Sequence, residues 1–221
     1  MPTPSRAVIA TSLAILLTSP GSFAFSSPLS DEAIREAYFL GQRHDEKTAL
    51  FLAQYKQHLA APKTGPHIAS VELLTPFAQV ILRSSQQTMG YSAQQAAEEN
   101  RGKEETVTIN VEVLLTASYG PIIARPTSER SGSPIGYTLR SADFWKDIQV
   151  QVIVDDKIVK PAHFSGEPNY LCGGEHGCDL TGAVLRMEFP AAALASDSAT
   201  VQVSPPEGPD VWVDFDLTVL R

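Results

Sequence analysis

Apolar positions recur along this chain with two different periods, and the change from one to the other divides it. Ahead of both lies an uncharged, mostly apolar run, Ala7 to Leu17, behind a short basic start. Ser22 and Ala24 follow as small residues at the third and first positions before a cleavage point after Ala24. That order is the order of a secretory signal peptide over residues 1–24, and its core is shorter than the roughly 20 residues of a membrane-spanning helix.

The next segment has helical spacing. Ser30 precedes Asp31 and Glu32 as an N-cap with acids in the first turn, and Leu29 and Ile34 stand at the positions of a hydrophobic staple. Ile34, Ala37, Tyr38 and Leu40 share a face, and Gly41 is the stop. A second helix is predicted from near Asp45 to about Ala60, with Thr48, Leu52, Tyr55 and Leu59 as its stripe and Pro62 as its end. The short link between the two predicts an antiparallel helical hairpin. His67–Leu74 reads as a strand. Thr75-Pro76 has the form of a helix start, but Val80-Ile81-Leu82 favours extended backbone, so the segment to residue 91 is predicted as strand. Ser92 and Gln95 form a capping box for a short helix over residues 92–100.

From Thr106 the period falls to two. Val107, Ile109, Val111, Val113 and Leu115 alternate with Thr108, Asn110 and Glu112, the pattern of a half-buried strand. Residues 148–154 repeat it, and Asp155-Asp156 turns the chain into Ile158-Val159 as a hairpin. Further strands are predicted at 183–189, 200–204 and 211–219, the last with Val211, Val213, Phe215, Leu217 and Val219 inward. Residues 119–137 carry prolines and glycines and no period, which predicts a long loop, either functional or mobile. The expected fold is therefore α+β. An N-terminal helical hairpin is followed by an antiparallel β-sandwich, Ig-like or C2-like in architecture only. The expected division is a signal peptide at 1–24, a helix-rich region at 25–101 and a sandwich domain at 102–221.

Charge narrows the partners. The 221 residues hold 17 basic and 25 acidic side chains, a formal net charge of −8. Residues 25–140 are nearly balanced, with 11 bases and 12 acids, whereas residues 141–221 have 5 bases against 13 acids. An acidic half of that kind repels a polyanion, so no nucleic-acid partner is expected. It serves as a solubilising surface, or it attracts cations or a basic partner.

Candidate chemistry is sparse. Cys172 and Cys178 bracket Gly-Gly-Glu-His-Gly, and in an exported chain an isolated close pair is expected to oxidise. The competing arrangement, zinc on Cys172, His176 and Cys178, crowds three ligands into seven residues and supplies no fourth. Tyr170, Glu175 and His176 around this ring are candidate binding residues, on a segment predicted as a stapled loop. Trp212 is another. It alternates with Asp214 and Asp216, an arrangement that offers calcium or sugar a surface and equally makes the wet face of a sheet. Asp155 and Asp156 are the other metal candidates, and paired acids are also ordinary turn residues.

The sequence holds no nucleophile elbow, His-Glu-x-x-His, P-loop or dinucleotide fingerprint, and no cofactor is expected. The function expected is a non-enzymatic exported module, periplasmic or extracellular, that binds a protein or glycan. A metal-dependent protein, such as a hydrolase, and a structural envelope subunit are the alternatives. No span is expected to remain in a membrane once the signal is cleaved.

Overall fold

A computed structural model describes residues 25–87, 90–126, 135–173 and 177–221. The predicted signal segment lies outside the described residues. Ser30 caps α1 (Asp31–Gln42) by accepting the Ala33 N–H, and Asp45 caps α2 (Glu46–Ala53) by accepting the Thr48 N–H at 2.8 Å. The second helix stops well short of Ala60. Tyr55 is fully buried, and its carbonyl accepts the Leu73 N–H at 2.8 Å, so the backbone leaves the helix to join a sheet. The residues after it form β1 (Lys56–His58), antiparallel to β2 (His67–Leu74).

Past Leu74 the expected strand is a helix, α3 (Pro76–Gln86). Thr75 caps it through its hydroxyl, and Pro76 takes the first helical position, where its missing N–H has no bond to lose. Phe77, Val80 and Ile81 then lie on one side, buried against Ile34 and Ala37 of α1. Burial of that stripe outweighs the β preference of Val80-Ile81-Leu82, which is worth only a fraction of it. Gly41 lets the two helices close up, because a Cβ there would overlap the Ile81 carbonyl. The capping box of Ser92 and Gln95 opens α4 (Ala93–Asn100) as expected.

The strands that follow are β3 (Thr106–Leu114), β4 (Ile122–Pro126), β5 (Ile135–Leu139), β6 (Gln149–Val154) and β7 (Lys157–Val159). Then come β8 (His163–Cys172), β9 (Cys178–Pro190), β10 (Ser198–Ser204) and β11 (Val211–Asp216). Two antiparallel sheets make the sandwich, one in the order β1-β2-β3-β9-β8 and the other in the order β11-β10-β6-β7. Val107, Ile109, Val111 and Val113 stand opposite Phe189, Met187, Leu185 and Ala183. All eight are buried in one cluster with Val201, Val203, Val152, Val213 and Phe215 of the other sheet. At about 1.5–3 kcal/mol for each large side chain removed from water, this layer dominates the stability. The five-stranded sheet draws strands from both sides of residue 101, since β2 pairs with β3 along its length.

Three more segments differ from expectation. The 119–137 stretch contains the β4–β5 hairpin, whose connecting residues lie outside the described set. The segment leading to Cys172 is an edge strand and not a loop, even though Gly166 and Pro168 break its alternation. The last strand ends at Asp216, which caps a short 3-10 turn over 217–219; Leu217 stays buried while Val219 is exposed. The predicted turn at Asp155-Asp156 is present, both residues having positive φ as a tight hairpin requires. Among the described residues, no helix is long and apolar enough to cross a membrane.

Candidate functional site

The helices collect where β2 ends and β3 begins, while the β8–β9 hairpin runs on past Leu114 at the other end of the sheet. There Cys172 and Cys178, directly opposite in register, are joined by a disulfide. With both sulfurs bonded to each other, neither is available as a thiolate ligand. Gly173 N–H donates to the Gly177 carbonyl at 3.2 Å, and Gly177 takes φ +84°, which closes the tip. A register shift between Asn169 and Tyr170 re-aims the strand just below, so that Tyr170 stands opposite Leu180.

The β4–β5 hairpin rises beside this tip. Its base is fixed by Tyr119, which is buried and carries the Arg140 guanidinium 3.4 Å from its ring centroid. Arg140 also donates from Nε to the Gly120 carbonyl at 2.8 Å, and its N–H bonds the Pro121 carbonyl. Burial pushes the Tyr119 hydroxyl up in pKa, so it stays neutral and the arrangement is a cation over a neutral ring. On the hairpin above, Ile122 pairs with Leu139 and Ala124 with Tyr137, placing these four on one face.

Between the two hairpins runs a groove of ≈ 310 Å³ lined by Ile122, Leu139, Arg140, Tyr170, Cys178 and Leu180, among others. Ile122, Tyr137, Leu139, Tyr170 and Leu171 are each at least half exposed, and they are five of the eleven large exposed apolar residues among those described. So dense a grouping on two adjacent hairpins is unlike the single scattered apolar residues of an ordinary surface.

Of the remaining candidates, Glu175 and His176 fall outside the described residues. Trp212, Asp214 and Asp216 project from β11 on the outer face of the four-stranded sheet, as their alternation with buried Val213 and Phe215 implied. Asp214 accepts the Thr200 hydroxyl at 2.6 Å, and Asp216 accepts the Thr218 N–H at 2.9 Å. Asp155 accepts the Ser196 hydroxyl at 2.7 Å. Among the described residues, no three His, Cys, Asp or Glu side chains come together in a way that would hold a metal ion.

The outer face of the five-stranded sheet is polar and paired with itself. Glu112 accepts from the Ser70 hydroxyl at 2.8 Å and from Lys56 at 3.3 Å, Asn110 donates to Glu72 at 2.9 Å, and Arg186 donates to Glu188 at 3.1 Å. The Ser70 hydrogen bond, with the Lys56 charge behind it, holds the Glu112 carboxyl below its ordinary pKa. A group so held is a poor proton donor near neutrality.

Sequence reasoning singled out Tyr170 but missed Ile122, Tyr137, Leu139 and Arg140. The signal was present as Ile122-Ile123 and Tyr137-Thr138-Leu139, β-formers flanking a Pro, Ser and Gly run. The chain matches no protein-family model, and no curated protein matches it.

Proposed function

We propose that this chain is an exported, non-enzymatic binding module that recognises a protein partner through the apolar end formed by β4–β5 and the disulfide-closed tip of β8–β9. The observation that carries the reading is the concentration of exposed Ile122, Tyr137, Leu139, Tyr170 and Leu171 on those two hairpins. Tyrosines such as Tyr137 and Tyr170 are frequent energetic anchors at protein interfaces, and apolar residues around them exclude water. The disulfide contributes by holding the tip in one shape before binding, which lowers the ordering cost that association would otherwise meet. Export is supported by the signal-like residues 1–24 and by a disulfide that an oxidising compartment preserves.

The test uses the full chain made in cells, with a photo-crosslinking residue at position 139 or 170. Leu50, an exposed apolar residue on α2, is the control position. The expected result is a chain beginning at Phe25 that forms a discrete adduct from 139 and 170 and none from 50. Equal labelling from all three positions, or none at 139 and 170, would sink the proposal.

A further inference from the structure

The outer face of the four-stranded sheet has a separate character. The register sets Trp212 beside Gln202 and Gln151, and Asp214 beside Thr200 and Ile153. Asp216 stands beside Ser198 on the same face. Asp210, just before β11, accepts from Gln202 Nε2 at 3.1 Å, which ties that carboxylate to the residue directly opposite Trp212. The face thus presents an indole that is 56% exposed and three carboxylates, while no lysine or arginine is among the residues the register places there.

An exposed indole attracts cations through its ring quadrupole, and an arginine can stack on it while its N–H groups reach neighbouring carboxylates. The charge of the whole half agrees, with 5 bases against 13 acids over residues 141–221. A polyanion is repelled, and a neutral sugar, although its hydroxyls can donate to the acids, leaves their charge uncompensated. The backbone edge of β11 is partly closed, since Gln57 Nε2 already donates to the Asp214 carbonyl at 2.6 Å. A ligand is therefore directed to the side chains of the face. Outward residues on a strand repeat at about 7 Å, the spacing of alternate side chains on an extended peptide.

From this charge complementarity we infer that the Trp212 face binds an arginine-bearing extended segment of a partner polypeptide. An arginine stacks on Trp212 beside Asp210 and Asp214, and a basic residue two alternate positions further along the segment meets Asp216. This surface is distinct from the apolar end and does not depend on the reading given for it.

The chain holds two tryptophans, and Trp145 is only 9% exposed, so a change in emission or in quenching by acrylamide reports Trp212. The full chain is titrated with (Arg-Gly)4, (Lys-Gly)4 and (Glu-Gly)4 peptides and with a neutral hexasaccharide, at low and at high salt. Labelled (Arg-Gly)4 gives an independent affinity by anisotropy for Trp212→Ala, Asp214→Asn and Asp210→Asn.

The expected result is saturable protection of Trp212 by the arginine peptide, weaker with lysine and absent with the other two. Trp212→Ala should weaken anisotropy binding about five-fold, the size of an exposed cation–π contact. Each Asp→Asn change should weaken it and flatten its salt dependence. Anisotropy binding unchanged by Trp212→Ala overturns the inference by placing any binding elsewhere on the acidic half. Protection by the hexasaccharide equal to that by the arginine peptide overturns it in favour of a sugar surface, and no protection by any probe overturns it outright.

Discussion

Trp145 occupies the space over β8 that a side chain at position 166 would need. A Cβ on Gly166 would overlap the indole ring, and Phe164 meets the same ring edge-on with centroids 5.7 Å apart. Gly166→Ala must therefore displace Trp145 from between the two sheets, at a cost of about 1–3 kcal/mol typical of overpacking. A fall of several degrees in Tm is expected, whereas Gly173→Ala, with open space around it, should leave Tm unchanged. Glu112 gives a residue-scale test with a pH sign. Its pKa is lowered in the folded chain, so its stabilisation is present above the ordinary carboxylate range and is lost as pH falls through that range to the lowered value. Glu112→Gln should cost about 0.5–1 kcal/mol by urea unfolding near neutrality. The gap between variant and wild type should narrow as pH falls through the ordinary carboxylate range and close only below the lowered value, where both are uncharged at this position.

At the scale of elements, the disulfide staples a hairpin whose pairing with β3 ends at Leu114. In the chain-entropy account, closing so small a ring stabilises by about 2 kcal/mol, so Cys172→Ser with Cys178→Ser should lower the midpoint of unfolding by that equivalent. If thermal melts of the double variant match wild type, the tip is held by β8–β9 pairing alone. The strands most legible in the sequence are those with one wet and one buried face, β3, β6, β9, β10 and β11, where alternation reports burial directly. Those missed follow other rules. Lys56-Gln57-His58 is a strand because β2 offers it a ladder, and β8 stands at an edge where Gly166 and Pro168 are tolerated. In α3 the local cap at Thr75 and the apolar stripe outweighed three β-favouring residues. The candidate site was half legible for the same reason. Tyr170 stands out because it lies just before the cysteine-bounded ring, but Ile122 and Leu139 face each other only once the hairpin between them is known.

At the scale of the molecule, the helices seal one end of the sandwich and leave the other to the two hairpins. Arg221 belongs to the sealed end. It pairs with Glu36 through two bonds of 2.6 and 2.8 Å, lies 4.5 Å over the Phe77 ring, and its backbone bonds the hydroxyls of Tyr55 and Thr75. The opposite end carries the exposed apolar residues, and the acidic face of β11 stands to the side. The central ladder has one more consequence. β3 finds its partner in β9, with Val107 against Phe189, and β6 finds its own in β10 across another long gap in the chain. Contacts so remote in sequence form slowly, because the loop between them must be closed before any burial rewards it. During synthesis β3 cannot complete the burial of its apolar face until the segments of the facing sheet, β6, β10 and β11, have emerged. Until then any agent that needs an extended chain, a translocase or a protease alike, meets Val107, Ile109 and Val111 still accessible.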